Sequence, residues 1–204
     1  MRKNAAPGRM HPSTILIVVL ALMPFSSPAQ KETGSPDPQQ IESQIRAIRS
    51  EAKHIDASID SPEQAGLTRV EKQLPNWELS GLFEKSAPVY LTARLSEGEV
   101  VREETYYFRQ GQPILVKVEK WWDVEDEAKA PEPPTRHEFY IQNDRLLRVS
   151  IRVNSKPPVT RLGDASGSPK LLIQRSATVA QILEGKAAGQ AIESLRDFPG
   201  LDQP

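Results

Sequence analysis

The chain has 204 residues, no cysteine and 18 prolines, with 38% hydrophobic and 26% charged residues. This length suits one domain of ordinary size plus appendages, and the low hydrophobic fraction predicts extended segments beside a single folded core. The lack of cysteine excludes a small scaffold held by disulfides, so a packed core has to supply the stability.

Residues 1–29 have the three-part pattern of a secretory signal peptide. The segment combines a basic start, a short apolar run and two small residues: Arg2, Lys3 and Arg9, then residues 14–25, then Ser27 and Ala29. The apolar run is shorter than the roughly 20 residues of a membrane span. The pattern predicts cleavage between Ala29 and Gln30, export to the periplasm or the medium, and no membrane span afterwards. An uncleaved anchor is the alternative.

Removing this segment makes the chain acidic. The whole chain has 26 basic and 27 acidic residues, and residues 1–29 hold three of the basic ones and none of the acidic ones, which leaves 23 against 27 and a net charge of −4. Nucleic-acid binding needs concentrated basic charge, so no nucleic-acid partner is predicted.

The mature chain begins with a polar tether and an amphipathic helix. Residues 30–39 contain Gly34, Pro36 and Pro38 and no hydrophobic periodicity, which is typical of a flexible linker. A helix over 40–59 follows, capped by Asp37 or its neighbours, because apolar side chains recur at spacings of three and four: Ile41, Ile45, Ile48, Ala52, Ile55 and Ile59. The helix is expected to pack on the domain, and a dimer seam is the alternative.

From about Trp77 the hydrophobic period changes to two. Short turn signals separate strand-like runs at 78–84, 89–95, 99–108, 113–124, 136–141 and 146–153. We therefore expect a single α+β domain over residues 40–196, with an antiparallel meander sheet of five or six strands. A C-terminal helix is expected within 170–196 and a frayed tail at 197–204. Gly185 and Gly189 are expected to weaken or split that helix.

Two hairpins look like copies of each other. Residues 107–118 align with residues 140–151 with the tyrosine, the turn and the alternating apolar positions in register. The Tyr-Tyr-Phe-x-x-Gly pattern at 106–111 resembles a loose group of uncharacterised bacterial exported proteins, over about residues 78–153. The resemblance implies a meander sheet flanked by helices. It implies no activity and carries no catalytic residue.

A two-residue turn at Gln110-Gly111 would place Tyr107 opposite Ile114 and divide the sheet into two faces. One face, with Tyr107, Val116, Val118 and Trp122, is then expected to form the core beneath both helices. The opposite face is expected to meet solvent, and exposed aromatic and apolar side chains there are suitable anchors for a protein or envelope partner. The predicted binding residues are Tyr106, Phe108, Leu115 and Trp121.

No motif for catalysis or for a metal stands out. His54 and His137 lack further ligands at metal spacing. The stretch Gly163 to Pro169 differs from a serine-protease nucleophile pattern by one inserted residue, and the acidic run 123–127 lacks the glycine of a calcium loop. The sequence therefore predicts no catalytic residue, no metal and no cofactor.

The function expected from these patterns is that of an exported, non-enzymatic binding or interaction module. A small-ligand carrier is the alternative, if the sheet curls around a pocket. A hydrolase with an unrecognised site is the last choice, with Glu103, Glu104, Glu119 and Glu138 as the possible sources of paired carboxylates.

Overall fold

The structure is a computed structural model that describes residues 37–125, 130–154, 156–162 and 169–198. The fold is α+β. One antiparallel sheet holds eight strands in chain order: β1 Thr68–Leu74, β2 Trp77–Glu84, β3 Ala87–Glu97, β4 Val100–Arg109, β5 Gln112–Trp122, β6 Thr135–Gln142, β7 Arg145–Val153 and β8 Val159–Leu162. The meander is as expected, but the prediction of five or six strands is wrong because it lacked the two edge strands.

A side-chain cap marks the start of the first helix, and a glycine follows the end of the second. Helix α1 spans Pro38–Asp56, and the Asp37 carboxylate accepts a hydrogen bond from the backbone N–H of Gln39 at 2.9 Å, which confirms Asp37 as the cap. Helix α2 spans Pro169–Leu183, and a 3₁₀ helix spans Gly189–Leu195. Gly185, with φ of +72°, lies between them, as the predicted split requires.

The two helices lie on opposite faces of the sheet, so the expected single core beneath both helices is wrong. On the face that we call the α2 face, α2 contacts β1, β2, β3 and β5. Trp77, Leu91, Val116 and Val149 are fully buried there. Apolar side chains of α2 and of the 3₁₀ helix are buried in the same core: Val179, Ile182, Leu183, Ile192 and Leu195. Gly81 permits the close approach, since a Cβ there would lie 2.9 Å from Cδ1 of Leu183.

The opposite face, which we call the α1 face, has a smaller apolar cluster. The buried side of α1 packs there on aromatic and aliphatic side chains of the sheet, namely Tyr107, Ile114, Leu115 and Tyr140, with Val89, Tyr90 and Leu147 at its margin. The sheet is therefore covered by a helix on both faces, and its apolar residues divide between two clusters.

A bulge in the β4–β5 hairpin accounts for the error in the predicted faces. The register shifts between Tyr107 and Phe108, so Tyr107 pairs with Leu115 and not with Ile114. A shift of one residue moves every later side chain to the other face. In the observed register Glu104 lies opposite Val118, and Arg102 lies opposite Lys120.

Some predictions fall on residues that the structure does not describe. The signal segment 1–29, most of the tether, and residues 163–168 lie outside the described residues. Of the tail, only Asp197 and Phe198 are described, and Phe198 is buried against Phe139 with ring centroids 6.1 Å apart. Among the described residues, neither helix has the length and apolar character that crossing a membrane requires.

Candidate functional site

The strand register arranges the α1 face into three rows that run across the strands. Directly paired residues share a face, so each row can be read from one strand to the next. The aromatic row lies beneath α1 and contains Leu82, Tyr90, Tyr107, Leu115, Tyr140 and Arg148. The middle row contains Glu71, Ser80, Thr92, Thr105, Lys117, Glu138, Ser150 and Thr160. The charged row contains Gln73, Glu78, Arg94, Glu103, Glu119, Arg136 and Arg152.

The middle and charged rows form the floor of an open cleft over β1 to β4. Its volume is about 450 Å³. Polar side chains of the α1 face dominate the lining, which includes Glu71, Gln73, Glu78, Ser80, Thr92, Arg94 and Glu103. The cleft is open, and several polar groups converge on it, so it is a candidate place for a polar ligand.

The charged row contains pairs that cost folding free energy. Glu103 lies directly opposite Glu119, and Arg136 lies directly opposite Arg152. Like charges in direct cross-strand positions are destabilising. Partial burial raises the pKa of the Glu103 carboxyl, and the charges of Glu119 and Glu78 raise it further, while Arg94 opposes the rise. Glu119 is held by Arg136, with the Glu119 oxygen 2.8 Å from the guanidinium.

Arg94 lies between Glu78 and Glu103 in the charged row, but the structure gives it a different contact. Its guanidinium lies over the ring of Trp121, 5.7 Å from the centroid. Its Nε is buried and has no hydrogen-bond partner among the described residues. Arg94 lines the cleft, and within the described part of the chain no salt bridge neutralises its guanidinium.

Helix α1 covers the aromatic row on the side of β4 to β7. It crosses the strands, because Glu42 pairs with Arg148 of β7, Arg49 donates to the Tyr140 hydroxyl of β6 at 2.8 Å, and Asp56 accepts from the Tyr107 hydroxyl of β4 at 2.8 Å. Lys117 also donates to the Tyr107 hydroxyl, at 2.8 Å. Burial raises the pKa of Tyr140 to about 12, with a contribution from its hydrogen bond to Glu138. These phenol groups therefore stay neutral, and their hydrogen bonds hold α1 against the sheet.

A second polar cluster lies on the α2 face, and it is closed. Glu104 is fully buried and forms an ion pair with Arg175, which is itself 1% exposed. The Tyr106 hydroxyl donates to Glu104, and burial, followed by the charge of Glu104, raises the pKa of this tyrosine. Arg175 also donates to the carbonyls of Leu195 and Asp197, at 2.7 and 2.9 Å. This cluster is satisfied by the chain itself, and we assign it a structural role.

The predicted binding residues do not lie together. Tyr106 and Phe108 are buried in the α2-face core, and Leu115 is buried beneath α1, so the expectation that these three side chains meet solvent is wrong. Trp121 is half-buried on the α1 face beside Arg94, next to the cleft. Of the four predicted residues, Trp121 is the one that lies beside the candidate cleft. The charged row was not predicted, because it depends on the register of six neighbouring pairs of strands.

The charge repulsion at Glu103 leads to a testable effect on stability. A carboxyl whose pKa is raised by folding destabilises the fold when it is ionised, and this cost disappears as the pH falls below its usual pKa of 4.5. We expect Glu103→Gln to raise the free energy of unfolding at pH 7 by about 0.5 kcal/mol and to have no such benefit at pH 4. Urea denaturation at both pH values measures this, with the exposed Glu84→Gln as the control. Loss of stability at pH 7 would contradict the assigned repulsion.

Comparisons of the chain with family models, with curated proteins and with solved structures found no match. Within the described residues, no group of three or more histidine, aspartate or glutamate side chains is arranged to hold a metal ion. His54 is exposed, and His137 is buried and stacked on Phe139 with ring centroids 6.2 Å apart. The site therefore has to be judged from its own geometry.

Proposed function

We propose that this chain is an exported, non-enzymatic binding module that takes a polar ligand in the cleft on the α1 face. Export rests on the signal-like pattern of residues 1–29. The binding role rests on one observation: side chains of like charge lie opposite each other on the floor and along the edge of an open cleft, although this arrangement lowers the folding free energy gained. Native proteins depart from favourable local pairing mainly at functional sites.

The lining of the cleft favours a ligand rich in hydrogen-bonding groups. Glu71, Gln73 and Glu78 are exposed and supply acceptors, and Arg94 supplies donors. Ser80 and Thr92 each offer a hydroxyl that can donate or accept. An acyl chain would desolvate these groups without pairing them, at a cost of a few kcal/mol for each group. A hydroxylated or amide-bearing ligand would satisfy them.

The carrier alternative requires an apolar space, and the α2 face is the apolar side of the sheet. That side is filled by α2, by the 3₁₀ helix and by Phe198. A lipid-like ligand would have to displace these elements from a continuous core. Because the cleft needs no such displacement, we favour the polar ligand.

The hydrolase alternative has one observation in its favour. Glu103 and Glu119 are direct cross-strand neighbours in unlike environments, the first with a raised pKa and the second ion-paired with Arg136. Unlike environments are typical of a carboxyl pair that divides acid and base roles. Release of p-nitrophenol from p-nitrophenyl glycosides, lost in Glu103→Gln, would support this function over simple binding.

Fluorescence and calorimetry test the binding proposal. Diacetylchitobiose and alanyl-alanine serve as polar probes and palmitate as the apolar one. We expect a saturable change in tryptophan emission with a polar probe, lost in Trp121→Phe because Trp121 borders the cleft. Calorimetry should show Arg94→Gln binding about tenfold more weakly, since hydrogen bonds from a charged donor are the stronger ones.

The matched control for Arg94→Gln is Arg161→Gln, which removes an exposed arginine on the α2 face of β8. It should bind as the wild type does. Binding of palmitate with equal affinity in wild type and Arg94→Gln, together with no binding of either polar probe, would overturn the proposal in favour of the carrier.

A further inference from the structure

We infer that the ligand is a linear, neutral oligosaccharide that lies across the strands along the charged and middle rows. This inference rests on the proposed function and names its ligand class. The rows do not end with the cleft. The charged row runs on from Glu103 through Glu119 and Arg136 to Arg152 on β7, beyond the four strands that form the cleft.

The spacing of side chains along each row favours one type of polymer. Neighbouring strands lie about 4.8 Å apart, so each row offers one side chain at about this interval. A pyranose unit in a linear chain advances by a similar length, so successive sugar rings would meet equivalent positions on successive strands. An extended peptide rises only about 3.3 Å per residue and would fall out of step with the rows.

The charges of the row select a neutral chain. Three carboxylates and three guanidiniums share it: Glu78, Glu103 and Glu119 against Arg94, Arg136 and Arg152. A polyanion would be repelled by the carboxylates and a polycation by the guanidiniums. Sugar hydroxyls donate to carboxylates and accept from guanidiniums, so one uncharged chain can pair with both kinds of site.

The dimensions of the surface agree with a chain of several rings. Seven strands contribute to the charged row, which gives a length of roughly 30 Å at the usual strand spacing. Helix α1 has 19 residues, about 28 Å at 1.5 Å per residue, and its polar contacts with the sheet run from Tyr107 of β4 to Arg148 of β7. The helix therefore borders the part of the rows that continues beyond the cleft. The ring of Trp121 lies beyond the opposite edge, where Arg94 covers it.

A length series tests the inference. Chitooligosaccharides and cello-oligosaccharides of one to six units are titrated into the protein by calorimetry. We expect affinity to rise about threefold for each added ring, as each adds one or two net hydrogen bonds. Arg152→Gln, at the far end of the row, should weaken hexasaccharide binding about fivefold and leave disaccharide binding unchanged. Arg161→Gln, which lies on the other face, should change neither.

The outcomes separate this inference from the proposed function. Disaccharide binding that depends on Arg94, with no gain from longer chains, would overturn the extended ligand and leave the polar cleft in place. Tighter binding of hexa-alanine than of any saccharide would overturn the saccharide and favour a peptide groove. No binding of any saccharide or peptide probe would contradict both proposals. Unchanged denaturation midpoints of the variants exclude unfolding as the cause.

Discussion

Replacing Glu104 with glutamine is expected to lower the free energy of unfolding by about 3–5 kcal/mol, the usual effect of removing one partner of a buried ion pair. The substitution keeps the size of the side chain but removes the only carboxylate that the described residues place against Arg175. Arg175 would remain 1% exposed, with its charge uncompensated. Arg102, whose Nε lies 3.2 Å from Glu104, would lose the same partner. Urea denaturation at pH 7 measures the loss.

The neighbouring residue supplies a matched control. Glu103 is one position earlier on the same strand, yet it faces the cleft, so Glu103→Gln should be slightly stabilising at pH 7. The double variant Glu104→Gln/Arg175→Met should lose less than the sum of the two single variants, because either one already breaks the pair. Additive losses, or a loss for Glu104→Gln below about 1 kcal/mol, would show that the pair is not coupled as described.

Replacing Ile45 with alanine is expected to lower the free energy of unfolding by about 2–5 kcal/mol, because the side chain is fully buried between α1 and the sheet. The apolar cluster on the α1 face is small and depends on one side of a single helix. Loss of its centre should loosen the whole of α1. Hydrogen exchange should therefore speed up along α1 more than along α2.

The control for Ile45→Ala is Arg46→Ala, the next residue on the exposed side of the same helix. It should change the free energy of unfolding by less than about 0.5 kcal/mol. Equal acceleration of exchange in α1 and α2 by Ile45→Ala would mean that the two helices unfold as one cooperative unit, contrary to the separate clusters described above.

Local patterns in the sequence were sufficient to predict helix α1 and the six central strands. The repeating isoleucines located α1, and Asp37 was identified as its cap. The six central strands were found because apolar residues alternate within them and turn residues separate them. Strands β1 and β8 were missed for a physical reason: as edge strands they bury little, and β8 is only four residues long and keeps Val159 59% exposed. Apolar and polar residues alternate clearly only where one face of the strand is buried and the other is exposed.

The candidate site could be predicted only in small part. A bulge at Tyr107 and Phe108 cannot be read from the hairpin sequence, and it changes which side chains of β4 and β5 share a face, among them five aromatic residues. The rows of the α1 face combine residues from β1 to β8, so a single misplaced register separates Arg94, Glu103 and Glu119. Trp121 was distinguished from Trp122 because adjacent residues on a strand point to opposite sides.

Hydrogen bonds from two arginines, Arg102 and Arg175, also affect when the domain can fold. Arg102 and Arg175 donate to the carbonyls of Leu195, Arg196 and Asp197, which belong to the last residues that the structure describes. A growing chain that has completed all eight strands still lacks these acceptors, and burying its guanidiniums without them is unfavourable. The final core therefore closes only when the end of the domain is made.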